Sequence, residues 1–246
     1  MRTRKYLSIY ALLAILVIAP GATLVAQTQL RPGMNLFSLR DDIQIGQRSA
    51  AQIERQHRTS NNPRVTRIGR RLASVSTMPN LPWRFRVIHR NDANAFALPG
   101  GFIYITSGML QRTRNDSELA GILAHEITHV NLRHGTNQAS KAMLAQMPLQ
   151  LLSGRLGGGL MGTLAQLGIG LGLNSVFLKY SRSAETQADV GAVQLMRRAG
   201  YNPQGLVSFM RTLGNRGGGF FASHPSPSNR IGRIQQEIAA TGRRRR

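Results

Sequence analysis

The chain contains the pentapeptide His-Glu-Ile-Thr-His at residues 125–129, a spacing that can build a metal centre on one helix. Residues four apart on an α-helix lie about 40° apart around the axis, so the imidazoles of His125 and His129 can reach one tetrahedral zinc ion. Glu126 follows the first histidine and can take a proton from water at that ion. Because the sequence has only 6 histidines, chance would give this pattern about 0.003 times per chain. The alternative is a surface helix with two solvated histidines.

The segment around this motif has the pattern of a helix. Asn115 and Asp116 are N-cap residue types, and Glu118 stands three residues after Asn115, as in a capping box. From residue 117 to about 133 there is no proline, and apolar residues recur at helical spacing. We expect one apolar face with the histidines against it, in a partly buried site.

Two histidines and a water leave one protein ligand of a zinc site to be found. Glu185 and Asp189 are four residues apart in segment 180–189 and would share one face of a helix. Glu185 is the predicted third ligand, and Asp189 would accept the second N–H of a ligand histidine and fix its tautomer. A solvated acidic face is the alternative, which is disfavoured because the chain has only 10 acidic residues against 32 basic ones.

His134 is a rival third ligand, five residues after His129. On an unbroken helix that separation is about 500°, which points away from the metal-facing side. The glycine that breaks the helix in three-histidine sites is absent, since Leu132 stands in its place. His134 is therefore predicted to pack beside the site without binding the metal, and His57 and His89 are predicted to be structural.

With these residues placed, the chain resembles the zinc metallopeptidases of family M48, the HtpX and CAAX prenyl protease superfamily, and most closely its small periplasmic members. Four segments that occur in order carry the resemblance: residues 94–110, 125–134, 181–189 and 223–230. It covers roughly residues 41–240. The resemblance implies a predominantly helical α+β fold of the zincin-like kind, with a small β-sheet beside the metal-binding helix.

The resemblance also implies roles for individual residues. It implies one zinc ion (Zn²⁺) per chain, bound by His125, His129 and Glu185. Glu126 would be the general base, and Asp189 would support the ligands from behind.

Two further residues join the catalytic group by resemblance alone. His224 matches a His-Pro motif near the C-terminus, and in some relatives that histidine reaches the zinc and blocks the water site in a resting state. Arg230 matches a basic residue that faces the active site. Residues 217–219 are all glycine and would let the His224 segment swing. For His224 the alternative is a loop histidine that precedes Pro225.

Residues 102–105 form a short β-rich run after a Pro-Gly-Gly turn signal. The resemblance favours an edge strand that pairs with an extended substrate backbone. Asn94, Phe102, Ile103 and Tyr104 are therefore predicted to line the substrate. A buried structural strand is the alternative.

The N-terminal residues have the pattern of an export signal. Residues 1–26 combine a basic start, an apolar run and small residues at the end, so they are a predicted signal peptide or an uncleaved membrane anchor. An N-terminal segment at 27–40 precedes the predicted metallopeptidase domain at 41–240, and 241–246 is a basic tail. We expect an exported protein of the periplasm or cell envelope, either free or associated with a membrane. The absence of cysteine excludes disulfides.

The net charge of +22 is high for a chain of 246 residues. Arginines cluster at residues 67–71, 84–90, 197–198 and 243–246, and such a field attracts anionic partners. Few aromatic residues lie among them, so nucleic acid is not favoured. Polypeptide substrates, an anionic membrane surface and outer-membrane assembly machinery are the candidate partners. The alternative is charge that serves solubility alone.

The remaining pattern is mainly helical. Helices are predicted at about 43–57, 63–72 and 178–198, after Pro203 and after Pro227, with a half-exposed strand at 83–88. Residues 142–178 form an apolar, glycine-rich insertion. We interpret it as a flexible flap near the active site, with contact to a bilayer, a true membrane span or simple burial as alternatives.

Together these patterns predict an exported zinc endopeptidase that hydrolyses unfolded or misassembled envelope proteins with a metal-activated water. The first alternative is a chaperone-like quality-control binder whose protease activity is latched and mostly idle. The second is an adaptor for anionic surfaces, built on the arginine clusters.

Overall fold

The computed structural model describes residues 28–146, 162, 178, 180–213, 218–224 and 229–242. The predicted signal segment 1–26, most of the insertion 142–178 and the last four residues of the tail lie outside the described residues.

Helices and one small sheet make up the described part of the chain. The helices are α1 (Leu39–Gln56), α2 (Pro63–Ser74), α3 (Ser107–Gln111), α4 (Asp116–Asn131), α5 (His134–Gln146), α6 (Arg182–Arg198), α7 (Gln204–Leu213), α8 (Gly218–Ser223) and α9 (Arg230–Gly242). The strands are β1 (Thr59–Ser60), β2 (Arg84–Ile88), β3 (Ala95–Leu98) and β4 (Phe102–Thr106). This is the predominantly helical α+β fold that the sequence predicts.

The sheet has the strand order β1-β2-β4-β3. β2 and β4 are parallel, while β1 pairs antiparallel with β2 and β3 pairs antiparallel with β4. Because β4 is paired along both edges, the prediction that Phe102, Ile103 and Tyr104 form a substrate-facing edge strand is wrong. Their uninterrupted apolar run is buried on both faces, as in a central strand. Among the described residues β1 and β3 are the edge strands, and Asn94 directly precedes β3.

α4 is the central element of the fold and has no exposed face after its first turn. Every residue from Glu118 to Asn131 is buried, and the helix packs against α2, α6 and α7. The sequence predicts an apolar face on one side only. In the structure neighbouring helices cover the other sides as well, so the His-Glu-x-x-His motif lies in the interior.

Side chains fix the start of α4. Asn115 is the N-cap, and its side chain accepts a hydrogen bond from the Glu118 backbone N–H at 2.9 Å. Glu118 does not complete a capping box; its carboxylate accepts instead from the Arg114 backbone at 2.8 Å and from the Arg114 guanidinium at 2.7 Å. The Ser208 hydroxyl donates to the same carboxylate at 2.8 Å and ties this end of α4 to α7.

The N-cap residues make two helices begin at positions that differ from the predicted ones. α1 begins before residue 43, since Ser38 and Asp41 form a capping box. α6 begins at Arg182 rather than near residue 178, since Ser181 is its N-cap and accepts from the backbone of the first turn.

α5 is the one long helix of the described ranges that the sequence analysis does not predict. It follows α4 after a short break and includes residues 142–146, the beginning of the proposed insertion. Within the described ranges, no helix combines the length and hydropathy that a membrane span requires.

α4 and α6 lie close together where Gly191 faces Thr128. A Cβ atom built on Gly191 would lie 2.4 Å from Thr128 Cγ2, closer than real side chains approach. The glycine therefore permits the observed separation of the two helices. Since His125 and His129 lie on α4 and Glu185 lies on α6, this separation also controls the distance between their side chains.

Candidate metal centre

Nitrogen and oxygen atoms from α4 and α6 converge in the interior. His125 Nε2 and His129 Nε2 lie 3.1 Å apart. Glu185 brings Oε2 to 3.5 Å from His125 Nε2 and Oε1 to 3.4 Å from His129 Nε2. All three side chains are at most 1% exposed. The structure thus brings the three predicted ligands to one point.

His224, which follows α8, completes this cluster. Its Nδ1 lies 3.3 Å from His125 Nε2 and 3.0 Å from Glu185 Oε1. Its ring stacks on Phe220, with the ring centroids 4.4 Å apart, and its side chain is fully buried. His224 therefore covers the side of the cluster that α4 and α6 leave open.

The four donor groups have the spacing of a tetrahedral ion site. Zinc bonds of 2.0–2.1 Å to nitrogen and oxygen give tetrahedron edges of about 3.3–3.4 Å. The separations of 3.0–3.5 Å between the donor atoms bracket that length. One ligand atom from each of His125, His129, Glu185 and His224 lies within 4.8 Å of the others. Imidazole and carboxylate are also ligands that zinc favours, so the residues fit this ion.

The carboxylates around His125 stabilise positive charge at the centre. Burial acts to lower the pKa of His125, but hydrogen bonds with Asp189 and Glu185 outweigh it and raise the pKa to about 9. Burial acts to raise the pKa of Glu185, but His224 and the other histidines hold it well below its usual range. Such a site favours a cation, as a metal centre must.

Glu126 lies beside the cluster, and neither of its carboxylate oxygens has a hydrogen-bond partner among the described residues. The side chain is fully buried, with Oε1 3.5 Å from His224 Nε2. Burial raises the pKa of Glu126 above its ordinary value. A buried carboxylate that accepts no hydrogen bond and has a raised pKa is well suited to accept a proton.

Arg230 on α9 holds the two acidic residues of α6. Its Nε and Nη2 donate to Asp189 at 2.7 and 2.6 Å, and its Nη1 lies 3.1 Å from Glu185 Oε2. Asp189 Oδ1 lies 3.1 Å from His125 Nδ1. The Arg230 side chain is only 3% exposed. It contacts the predicted ligand Glu185 and also Asp189, which lies behind His125.

His134 lies behind His129 and contributes no atom to the cluster. His129 Nδ1 is 2.9 Å from His134 Nδ1, and His134 Nε2 is 2.9 Å from Gln187 Oε1. Burial lowers the pKa of His129 well below its ordinary value and that of His134 to about 4. The sequence analysis missed Gln187, whose signal is its position between Glu185 and Asp189 on one helix.

Tyr180 closes the centre on the side of β3, and the sequence analysis missed it too. Its ring stacks on His129 with centroids 3.7 Å apart, and its hydroxyl donates to Ala97 O at 3.3 Å. The Asn94 carbonyl accepts a hydrogen bond from the Thr106 N–H, so the backbone of Asn94 faces β4. In an antiparallel pair every second residue faces the neighbouring strand, so the backbone of Ala97, three residues later, faces away from β4. The Ala97 carbonyl therefore points to the outer edge of β3.

The other singled-out residues lie outside the cluster. His57 caps the C-terminus of α1. His89 is exposed, with Nε2 2.9 Å from Ser60 Oγ. Tyr104 donates its hydroxyl to Glu54 of α1 at 2.9 Å. Asn94 is partly buried at the start of β3.

Comparisons with known proteins agree with this geometry. The family model described as Peptidase family M48 matches residues 59–238. The chain is 28% identical over 212 residues to the beta-barrel assembly-enhancing protease of Escherichia coli, which covers 79% of this chain and 43% of that protein. It is 30% identical over 178 residues to the mitochondrial metalloendopeptidase OMA1 of Schizosaccharomyces pombe, which covers 70% of this chain and 51% of that protein. It is 29% identical over 184 residues to the metalloprotease YcaL of Escherichia coli, which covers 71% of this chain and 72% of that protein. The chain thus spans less than half the length of the first of these relatives and about half that of the second.

Proposed function

The chain belongs to peptidase family M48, and on this premise we propose that it is a zinc-dependent endopeptidase. The observation that carries the proposal is the meeting of His125, His129 and Glu185 at one buried point, with Glu126 beside them. A cation-favouring ligand set next to a buried carboxylate is the arrangement that metal-assisted hydrolysis of a peptide bond uses.

Each residue around the metal site would have its own role in hydrolysis. When bound here, zinc supplies a Lewis acid that polarises a carbonyl oxygen and acidifies water. Glu126 would take the proton of the attacking water and pass it to the leaving amine, and its raised pKa favours the first of these transfers. Asp189 Oδ1 lies 3.1 Å from His125 Nδ1 and would accept its N–H in the metal-bound protein, which would fix the tautomer of that histidine. Arg230 is a positioning residue that keeps Asp189 and Glu185 in place.

β3 is the element best suited to hold a substrate. No strand of the described residues pairs with its outer edge, and that edge lies beside the centre, because Ala97 contacts Tyr180 and Tyr180 stacks on His129. β3 is buried in this structure, so a substrate would reach it only after the residues that cover it move. Pairing through backbone groups reads little side-chain sequence, which suits unfolded or misassembled proteins. Asn94, at the start of β3, would lie along the same path.

We infer the cell envelope, and the periplasm within it, as the location. Residues 1–26 have the pattern of an export signal, and the name of one relative refers to β-barrel assembly. Envelope proteins would then be the substrates, and outer-membrane assembly machinery would be a partner.

Glu126→Gln tests the peptidase proposal. The variant keeps the ligands and lacks the base, so cleavage of a loosely folded protein should fall by about 10²–10⁴-fold, while elemental analysis still finds one zinc per chain. Glu54→Gln, whose carboxylate contacts Tyr104 away from the centre, is the matched control and should cleave normally. Undiminished turnover in Glu126→Gln, or purified protein that neither contains nor takes up a stoichiometric metal, would refute the proposal.

A second candidate function is a quality-control binder whose peptidase activity is latched. The observation that favours it is His224, which covers the open side of the cluster while every ligand is buried. A substrate carbonyl cannot approach the ligand atoms until His224 moves away.

His224→Ala separates the two functions. A latch predicts that the variant keeps zinc through its three other ligands and cleaves the loosely folded protein faster than the parent chain. If His224 instead stabilises the reacting groups, the variant keeps zinc and cleaves more slowly. If the chain binds the loosely folded protein equally well after a chelator has removed its metal, the result supports the quality-control binder. If binding is lost with the metal, the result contradicts that function.

A further inference from the structure

Two arginine clusters that are distant in the sequence line one groove. The groove has a volume of about 650 Å³ and lies between α2 and β2. α2 contributes Arg67 and Arg70, and β2 contributes Arg84 and Arg86. We call these four residues and the space between them the arginine groove. The groove lies beside β2, whereas the metal centre lies beside β3, and β4 separates these two strands in the sheet.

The groove is open because β2 is only partly covered. β1 pairs with Val87 and Ile88 alone, while residues 84–86 pair only with β4 on their other side. The chain leaves the sheet after Ser60 and enters α2 at Pro63. A concave opening therefore remains between the start of α2 and the first half of β2.

Two of the four guanidinium groups are held in place by neighbours. Arg67 donates to Asp116 at 2.8 Å. Arg86 donates to the Asn61 side chain at 2.9 Å and to the Thr59 hydroxyl at 2.8 Å, with Glu54 3.7 Å away. These contacts orient both side chains before any ligand binds, which lowers the entropy that binding must remove.

The other two guanidinium groups are not neutralised by a carboxylate of the described residues. Arg70 and Arg84 are exposed, and among the described residues neither forms an ion pair. Arg84 lies over the Phe102 ring at 5.7 Å, which leaves its N–H groups available. Of the described residues that line the groove, Glu54 alone is acidic, and it lies beside Arg86.

This arrangement suits a phosphate group. The planar fork of a guanidinium donates two parallel hydrogen bonds to phosphate oxygens, and several arginines around one concave site match its charge. The aromatic neighbours do not suit nucleic acid, because Trp83 stacks on Phe85 at 6.2 Å and Phe85 is buried, which leaves little free ring surface for bases.

We propose that the arginine groove binds the phosphate of an anionic lipid headgroup and so holds the protein on a membrane surface. A surface suits the site better than a single soluble anion because further exposed arginines lie nearby: Arg71 on α2, and Arg58, whose backbone carbonyl accepts from His89 just after β2. A membrane presents many phosphates at once, and each basic residue near it contributes about 1 kcal/mol. This role is independent of the proposed peptidase activity.

Vesicle binding by the full chain tests the proposal. Co-sedimentation is measured with phosphatidylcholine vesicles that contain or lack phosphatidylglycerol, and the readout is the difference between the two. The pair Arg70→Gln and Arg84→Gln should reduce the anionic-lipid component by on the order of tenfold or more. Arg40→Gln with Arg211→Gln removes the same charge from exposed positions on α1 and α7 and should reduce it far less.

The other outcomes decide against the groove. An equal loss in both double variants would show that net charge alone drives binding. Full displacement by inorganic phosphate at low millimolar concentration would identify a site for free phosphate, and preferential binding of single-stranded RNA would identify a nucleic-acid site. Unchanged circular dichroism and thermal unfolding of both double variants would exclude misfolding as a cause of the loss.

Discussion

His129 and His134 face each other through their Nδ1 atoms, 2.9 Å apart. His129 directs Nε2 into the cluster, 3.4 Å from Glu185 Oε1, so a metal-binding His129 carries its proton on Nδ1. His134 must then accept at Nδ1 and donate from Nε2 to Gln187 Oε1. The lowered pKa of His134, about 4, keeps it neutral and able to accept at neutral pH. A chain of two hydrogen bonds thus fixes the tautomer of a predicted ligand.

Replacing His134 should therefore weaken zinc binding without removing a ligand. In His134→Ala the buried Nδ1–H of His129 loses its acceptor, and the affinity for zinc should fall by about 10–100-fold. Competition with a chromophoric chelator measures it. His89→Ala removes an exposed histidine and should leave the affinity unchanged. Equal affinities of His134→Ala and the parent chain would contradict the orienting role.

Arg230→Ala should destabilise the metal-free protein. The change leaves the buried Asp189 carboxylate without its two charged hydrogen bonds, which costs about 3–5 kcal/mol of unfolding free energy. Denaturant unfolding in the presence of a chelator measures the loss. Combining Arg230→Ala with Asp189→Ala should cost less than the sum of the two single changes, because they share one interaction. If the two losses of unfolding free energy are additive, the proposed contact between Arg230 and Asp189 is contradicted. Arg211→Ala, at an exposed position, should change the free energy by no more than about 0.5 kcal/mol.

Glu118 should make the stability depend on pH in the acid range. Burial acts to raise its pKa, but hydrogen bonds from Arg114 and Ser208 outweigh it and hold the pKa below 4.5, its ordinary value. A lowered folded-state pKa means that Glu118 stabilises the fold above its unfolded-state pKa, and that this stabilisation is lost as the pH falls through the folded-state pKa. Glu118→Gln should thus lower the unfolding free energy by about 1–3 kcal/mol at pH 7.

The difference between Glu118→Gln and the parent chain should then shrink steadily below pH 4.5. Denaturant midpoints measured across the acid range follow it. A difference that stays constant from pH 7 to strongly acidic conditions would mean that shape, and not charge, makes this contact.

Tyr180→Phe should improve substrate binding. The Tyr180 hydroxyl occupies the Ala97 carbonyl, which is the acceptor that a substrate strand on the outer edge of β3 would use. Removing one such hydrogen bond should lower KM by about 2–10-fold with little change in kcat. Steady-state cleavage of a peptide measures both constants. A large fall in kcat would indicate that the hydroxyl contacts the reacting groups instead.

The ligand residues are predictable because their geometry is local. His125 and His129 share a helix face by spacing alone, and so do Glu185 and Asp189. The sequence cannot place the two helices side by side, because their contact joins residues far apart in the chain. Scarcity of acidic residues and the order of the four family segments supply that step.

The central position of β4 is harder to predict but left a signal. Phe102, Ile103 and Tyr104 form an unbroken apolar run, which is typical of a strand covered on both faces, whereas a strand with one exposed face alternates. Its neighbours, β2 and β3, reach it from opposite sides, and no local pattern gives that order. Tyr180 and Gln187 act through contacts across the fold, so spacing could not identify them.

Gly191 implies that the size of the ion cavity is separable from the identity of its ligands. The residue touches no donor atom, yet any side chain there would press against Thr128 and spread α4 from α6. Wider spacing would move the donor atoms beyond the bonds of about 2.0–2.1 Å that zinc makes to imidazole nitrogen, so zinc binding would weaken although every ligand is still present. The zinc affinity that we propose would therefore also depend on Gly191, a position that a search for ligand residues would pass over.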